Sequence, residues 1–485
     1  MKRAAILIAL MSGLCACQTT RQPPVVAMPA AFDGAGAGAA LAPADLDRWW
    51  LLFNDPQLDA LEDDAFKLSP DERTAAARIL EARATKSSQV AQTLPTGDLQ
   101  GQYSRQSASG IGGGASDDLF PVGGVTTTRT LNFNVSWEID LFGRLAEARK
   151  IAKASFAATR FDIEGTRASL AASVADDYFQ ARGLAIQLAD AQDSARIEAE
   201  LEKVATEKAE YGLGAASDSD RVAGDLSQAN AQVESLQAQL HTIQRQLLIL
   251  VGRPFEPTAN LPVDANIYAP PPIPAAVPGD LLARRPDVRE SEEKFRVEAG
   301  TAKLKHLAIF PTFTLLPGLG LNSTTAPGVA YIPPATLIPQ QQTTNLGLWT
   351  LAGSVSQPVL DIPRLLYDAK AEDARTEQAA IAYEKTVQTA YGEAENALVT
   401  LAASERGASV LDGGETRAHR AYNDARRLYG MGLDDITTTL SAEQAWRTTR
   451  SALTSARVQA LRQAVATYKA LGGGWAHPES DVRTR

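Results

Sequence analysis

The sequence predicts a mixed α and β chain, mainly long coiled helical hairpins with four strands, built from one unit used twice. Three observations point there. Sequence markers recur in one order at a nearly constant offset. No proline occurs from Val122 to Arg253, nor from Arg364 to His477, so very long helices are open to the chain. Two pairs of segments alternate polar and apolar residues with the period of a strand.

The chain opens with a basic Lys2-Arg3 pair and a short apolar run, Ala4 to Met11, the grammar of a secretion signal. The run leads into Leu14-Cys15-Ala16-Cys17, the pattern of a bacterial lipobox with Cys17 as the acylated residue. An ordinary signal peptide that happens to end beside a cysteine is the plainer alternative. Residues 1–16 are therefore expected to be removed, with Gln18 at the second mature position favouring transport onward to the outer membrane. Residues 17–44, rich in Ala, Gly and Pro, read as a lipidated flexible tether. The 2 cysteines are Cys15 in the signal and Cys17 at the lipid site, so no disulfide framework or zinc–cysteine cluster is expected in the mature chain. A net charge of -10 argues against a nucleic-acid partner. No mature segment reaches the roughly 20 continuous apolar residues of a transmembrane helix. Any crossing of a membrane is left to strands.

Order is expected to begin in an N-terminal segment, 45–69, carrying Trp49-Trp50-Leu51-Leu52-Phe53. Two repeats follow, 70–253 and 286–472, joined by a linker at 254–285 and trailed by residues 473–485. Pro70-Asp71-Glu72-Arg73 returns as Pro286-Asp287-Val288-Arg289, and Leu94-Pro95-Thr96 as Phe310-Pro311-Thr312, both at an offset of 216. Arg144 matches Arg364 at 220, and Tyr211-Gly212-Leu213-Gly214 matches Tyr429-Gly430-Met431-Gly432 at 218.

Each repeat starts with a helical run, Asp71–Ala91 or Asp287–Ala308, opened by a proline. Leu99, Gly101 and Tyr103 then interleave with Gln100, Gln102 and Ser104; Leu131, Phe133, Val135 and Trp137 interleave with Thr130, Asn132, Asn134 and Ser136. In the second copy Phe313, Leu315, Leu319 and Leu321, then Trp349, Leu351 and Val355, do the same. Residues 107–126 and 323–345 read as exposed loops at the hairpin ends. Residues 144–210 are expected to form one helix, roughly 100 Å long at 1.5 Å per residue. Leu170, Val174, Tyr178, Ala181, Leu184, Leu188 and Ala191 form a heptad seam along it, and Val387, Tyr391, Ala394, Leu398 and Leu401 form its counterpart. The Tyr-Gly-x-Gly sequences break and reverse these helices.

Catalytic patterns are wanting. His241, His306, His419 and His477 have no ligand spacing around them, and no phosphate-binding loop with its Lys is present. Neither cofactor nor metal is expected, and no enzymatic activity. Glu198, Glu200 and Glu202 with Lys203, Glu207, Lys208 and Glu210 read as a solvated face. Just past the turns stand Asp218, Asp220 and Asp225 in one copy and Asp434, Asp435 and Glu443 in the other. Helix capping accounts for Asp218 and Asp434; Asp220, Asp225 and Glu443 are left free to face an aqueous passage.

Ser136-Trp137-Glu138-Ile139-Asp140-Leu141-Phe142-Gly143-Arg144 resembles the strand-to-helix junction of outer-membrane efflux lipoproteins of the TolC/OprM type, the NodT group. So do Leu281-Leu282-Ala283-Arg284-Arg285-Pro286-Asp287-Val288-Arg289, the opening from Trp49 to Leu58, and the paired Tyr-x-x-Gly turns. The resemblance implies a homotrimer in the outer membrane of a Gram-negative bacterium, closing a 12-stranded β-barrel over a periplasmic helical tunnel, with residues 45–69 in its equatorial belt. It implies a passive duct that takes small solutes or drugs from an inner-membrane RND-type pump through a periplasmic adaptor. It places Tyr211, Gly212, Leu213, Gly214, Tyr429, Gly430, Met431 and Gly432 at the tip that meets the adaptor. The family's constricting Leu, Asp and Arg fall here on Thr437, Ser441 and Gln444, so the usual aspartate ring is missing. Asp220, Asp435 or Glu443 could replace it, and Arg221 marks where the two copies diverge most. The alternative reading is a lipid-anchored periplasmic adaptor or scaffold.

Overall fold

The computed structural model describes residues 22–33, 46–108, 124–212, 214–273, 278–332 and 336–474. After a 3-10 turn, Trp49–Phe53, come α1 (Pro56–Leu68), α2 (Pro70–Ala91), β1 (Thr96–Ala108), β2 (Gly124–Ile139), α3 (Arg144–Glu210) and α4 (Ala216–Leu250). A second short turn, Thr258–Asn260, precedes α5 (Asp280–Arg284), α6 (Pro286–Leu307), β3 (Thr312–Ile332), β4 (Thr336–Ser356), α7 (Ile362–Gly430) and α8 (Ile436–Ala470). One order, helix, two strands, long helix, shorter helix, thus occurs twice. The matched lengths are 22 and 22 residues for α2 and α6, 67 and 69 for α3 and α7, and 35 and 35 for α4 and α8. The chain divides into two compact units: Met1–Gln22, Arg83–Phe156 and Lys294–Ala379 in one, Pro23–Ala82, Ala157–Glu293 and Ala380–Arg485 in the other.

The first unit holds the sheet, ordered β1-β2-β3-β4 and antiparallel throughout. Its register puts Leu99, Phe133, Leu319 and Trp349 in one row across all four strands. Strands run further than expected. Residues 323–332 and 336–345, read from sequence as a loop, are paired, Ser323 with Asn345 and Ala326 with Gln342. Their Gly, Ser and Pro residues read as a loop, but the Thr, Asn and Gln residues among them complete a ladder as well as apolar ones do. Pairing of β2 with β3 stops at Thr127 and Thr325, so Pro327 sits where β3 has a partner on one side only, the position a strand proline tolerates. In the other hairpin the strands extend to Ala108 and from Gly124, and residues 109–123 lie outside the described part.

The second unit is helical. Trp49, Trp50 and Phe53 sink into a core with Leu58, Tyr178 and Tyr468. Trp49 stacks on Tyr468 with ring centroids 5.6 Å apart, which explains a Trp-Trp pair at the onset of order. The seam is buried at Leu170, Val174, Tyr178 and Ala181, but Ala171, Ala175 and Phe179 are buried as well. The buried stripe is therefore wider than a two-partner heptad, as befits a helix packed on several neighbours.

Residues 22–33 correct the expected tether. Val26 and Met28 pack on Val288, Tyr383, Val387 and Ala390, while Phe32, buried, stacks on Tyr391 at 5.6 Å. Asp33 N–H donates to Glu395. The composition is that of a linker, yet its few apolar residues find a groove, and prolines lower the entropy lost on docking. No described helix is long and apolar enough to cross a membrane.

Candidate functional site

The sheet separates two environments. On one face stand Leu99, Tyr103, Leu131, Phe133, Trp137, Leu319, Leu321, Trp349 and Leu351, all more than two-fifths exposed within the single chain. The other face carries Gln100, Gln102, Asn132, Asn134, Thr314, Asn322 and Thr350 at the alternate positions of the same register, with Leu316, Leu346 and Leu348 as apolar exceptions. Glycines let this polar face pack closely. A Cβ on Gly320 would meet Asn132 Oδ1 at 2.8 Å, and one on Gly318 would meet Thr350 Oγ1 at 2.8 Å. The outer long edges of β1 and β4 have no partner among the described residues.

Residues 136–144 turn the sheet into α3 by four devices. Gly143 takes φ +81°, a conformation other residues resist. Asp140 Oδ2 accepts from Ala146 N–H at 2.9 Å and caps the helix. Arg144 pairs with Glu138 through two nitrogens. Phe142 stacks on Phe310 at 4.9 Å. In the other motif, buried Arg285 holds Asp287 at 2.6 Å, Glu393 at 2.7 Å and the Ala470 carbonyl at 3.2 Å. Both motifs are joints of the fold.

At the helix reversals, Gly212 and Gly432 sit at φ +68° and +73°. Leu433 N–H reaches back to the Leu428 carbonyl at 3.0 Å, closing the end of α7 in the manner of a glycine C-cap. The turns differ. Tyr211 is 79% exposed, whereas Tyr429 is buried beneath the Lys208 ammonium, 3.8 Å from its ring centre. Met431 and Leu433 are exposed, Gly214 and Gly430 belong to the same turns, and Leu213 lies outside the described residues, as does Cys17.

The helix starts correct both expected caps, Asp218 and Asp434. Asp435, not Asp434, is the N-cap of α8: its Oδ1 accepts from Thr438 N–H at 2.8 Å. Asp434 instead receives the Asp435 N–H at 2.9 Å. Ala215 stands at the matching cap of α4 and offers no side-chain oxygen, while Asp218 lies in the first turn and complements the helix dipole. The bonds from Thr438, helped by the Arg221 charge, hold the Asp435 carboxyl below its ordinary value.

Thr437, Ser441 and Gln444 fall on one exposed face of α8, and Asp220 and Arg221 are exposed on α4. The Ser441 hydroxyl donates to the Thr438 carbonyl at 2.9 Å. Glu443 does not join them. It is 0% exposed, and Glu198, expected on a solvated face, is 1% exposed. Both carboxylates sit in a cluster with Ile197, Leu201, Val222, Tyr422 and Trp446. Mixed charge along α3 concealed Glu198, because burial depends on which neighbours arrive from α8. His419 likewise stacks on Trp446 at 4.6 Å.

Residues 61–253 and 277–473 match the family model described as outer membrane efflux protein. The chain is 28% identical to the pyoverdine export outer membrane protein OpmQ of Pseudomonas putida, across 100% of this chain and 99% of that one. It is 27% identical to the toluene efflux pump outer membrane protein TtgC of Pseudomonas putida, across 88% of this chain and 85% of that one. The Campylobacter jejuni CmeC outer membrane channel has the same fold, with a TM-score of 0.79 at 19% identity over 96% of this chain and 97% of that one.

Proposed function

The chain belongs to the outer membrane efflux protein family, and from that premise we propose how it works as the outer-membrane duct of a tripartite efflux system. The observation that carries the reading is the sheet: mainly apolar along one face, mainly polar along the other, and unpaired at both edges among the described residues. Such a sheet cannot rest in lipid alone, because its edge N–H and C=O groups have no water to bond. Closure with two further copies pairs every edge, giving twelve strands whose apolar face meets lipid and whose polar face lines water. Solute then diffuses outward through a passive, non-enzymatic channel, driven by an inner-membrane RND-type pump and delivered through a periplasmic adaptor.

The exposed Tyr211, Met431 and Leu433 around the reversing turns are the surface we assign to the adaptor. Entry is constricted by the exposed faces that carry Asp220, Arg221, Asp435, Thr437, Ser441 and Gln444, held by hydrogen bonds rather than by ion pairs. Relatives named for pyoverdine export and for toluene efflux differ widely in cargo chemistry, which suits a water-filled passage that sets an upper size and little else. A lipid-anchored adaptor would have no use for an apolar sheet face.

Membrane fractionation after mild crosslinking tests the reading. A detergent-resistant trimer in the outer membrane, conducting ions in planar bilayers, is expected. A monomer released with the periplasmic contents would overturn it.

A further inference from the structure

Two buried carboxylates share one guanidinium beside the helix reversals. Glu198 on α3 and Glu443 on α8 are 1% and 0% exposed. Arg447 Nε lies 2.9 Å from Glu443, and Arg447 Nη2 3.5 Å from Glu198. The remaining charged or titratable neighbours do not supply a second cation. Asp225 from α4 adds negative charge to both carboxylates. From α7 come Tyr422, whose buried hydroxyl has no hydrogen-bond partner, and Arg426, which is engaged by Glu200 of α3 at 3.2 Å. Arg447 meets them as an ion pair only: among the described residues, neither oxygen of Glu443, nor Oε2 of Glu198, accepts a well-aligned hydrogen bond.

A pair of ionised carboxylates in such a place would leave one buried negative charge uncompensated, which desolvation strongly disfavours. One proton resolves the geometry, since it neutralises the excess charge and supplies the donor that the pair lacks. We propose that Glu198 and Glu443 share a single proton and form a latch tying α8 to α3 beside the reversing turns, and that loss of this proton loosens that end of the helices. The consequence for transport rests on the channel reading above: a rise in pH frees the entrance.

The sign follows from Glu443. Burial, aided by the charge of Glu198 and the hydrogen bond to it and opposed by Arg447, pushes its carboxyl up to about 8. Below the ordinary glutamate range, latched and loosened states both hold the proton and pH has no leverage. Between that range and about 8 only the latched state keeps it, so the ratio of latched to loosened molecules falls by up to about tenfold per pH unit. Above the folded value the dependence ends.

Hydrogen–deuterium exchange of the full-length protein, read at residues 194–205 and 436–447 between about pH 5.5 and 9 and corrected for intrinsic exchange, tests the latch. Opening should rise with pH and level off near 8 in the wild type, and should be flat in Glu443→Gln, which carries a permanent donor. Glu198→Gln is the second variant; it leaves Arg447 paired one to one with Glu443 and should also be flat. A flat wild-type profile, or either folded variant keeping the wild-type slope, overturns the latch. Bilayer conductance of the same proteins separates the two readings. Exchange that depends on pH in a protein that never conducts leaves the latch and removes the channel, whereas conduction with exchange flat in pH does the reverse.

Discussion

Five donors converge on the carboxylate of Asp55. Gln57 N–H and Leu58 N–H approach at 3.0 and 3.3 Å, the Tyr178 and Tyr268 hydroxyls at 2.8 and 2.6 Å, and the Arg182 guanidinium completes the set. Burial alone would raise the pKa of Asp55, but these bonds and the Arg182 charge outweigh it and hold the carboxyl below its ordinary value. A carboxyl lowered on folding stabilises the native state above its unfolded pKa and loses that contribution as pH falls through the folded one. The helical unit should therefore weaken below about pH 4, in urea titrations followed across pH. Asp55→Ala should cost about 3–5 kcal/mol, because it strands Arg182, 6% exposed, without its partner. Tyr178→Phe should cost only about 1 kcal/mol, since four donors remain. Equal losses from the two variants would show that the charge pair is not the organising contact.

Among the elements, the extended segment at 22–33 departs furthest from its composition. Phe32 is its anchor, 4% exposed and stacked on Tyr391 of α7. Removing a buried aromatic side chain costs about 3–5 kcal/mol, and cleavage of a segment that opens and closes rapidly tracks its open population. Phe32→Ala should then raise proteolysis within residues 23–33 by at least about tenfold, with α7 itself unaffected. Unchanged cleavage would mean that Val26 and Met28 hold the segment without it. The long helices, by contrast, end where the sequence places their glycines, since φ values of +68° and +73° at Gly212 and Gly432 are set by the backbone itself.

For the whole molecule, the two sheet faces predict opposite responses to charge. Leu319 lies in the apolar row between Phe133 and Trp349. Leu319→Lys should cost about 2–4 kcal/mol at the depth of the bilayer centre and reduce the trimer recovered from outer membranes. Gln102→Lys, on the polar face, should assemble normally and shift ion selectivity instead. If both variants assembled alike, the apolar face would not be the one that meets lipid.

What the sequence determined by itself is whatever repeats locally. The duplication, the helix at 144–210, the period-two strands and the glycine reversals are written in spacing, and spacing is decided by backbone geometry within a few residues. Composition was a weaker guide: it marked 323–345 as a loop and gave no sign that residues 22–33, within the expected tether, would pack, because it counts residue types and not the partners they meet. Only the tertiary structure placed Glu198 and Glu443 together, made Asp435 the cap in place of Asp434, and buried Tyr429 while leaving Tyr211 exposed. Each of those outcomes depends on a side chain delivered by another helix or by the exact start of one. Burial and charge pairing are properties of that meeting, and one strand of sequence does not contain it.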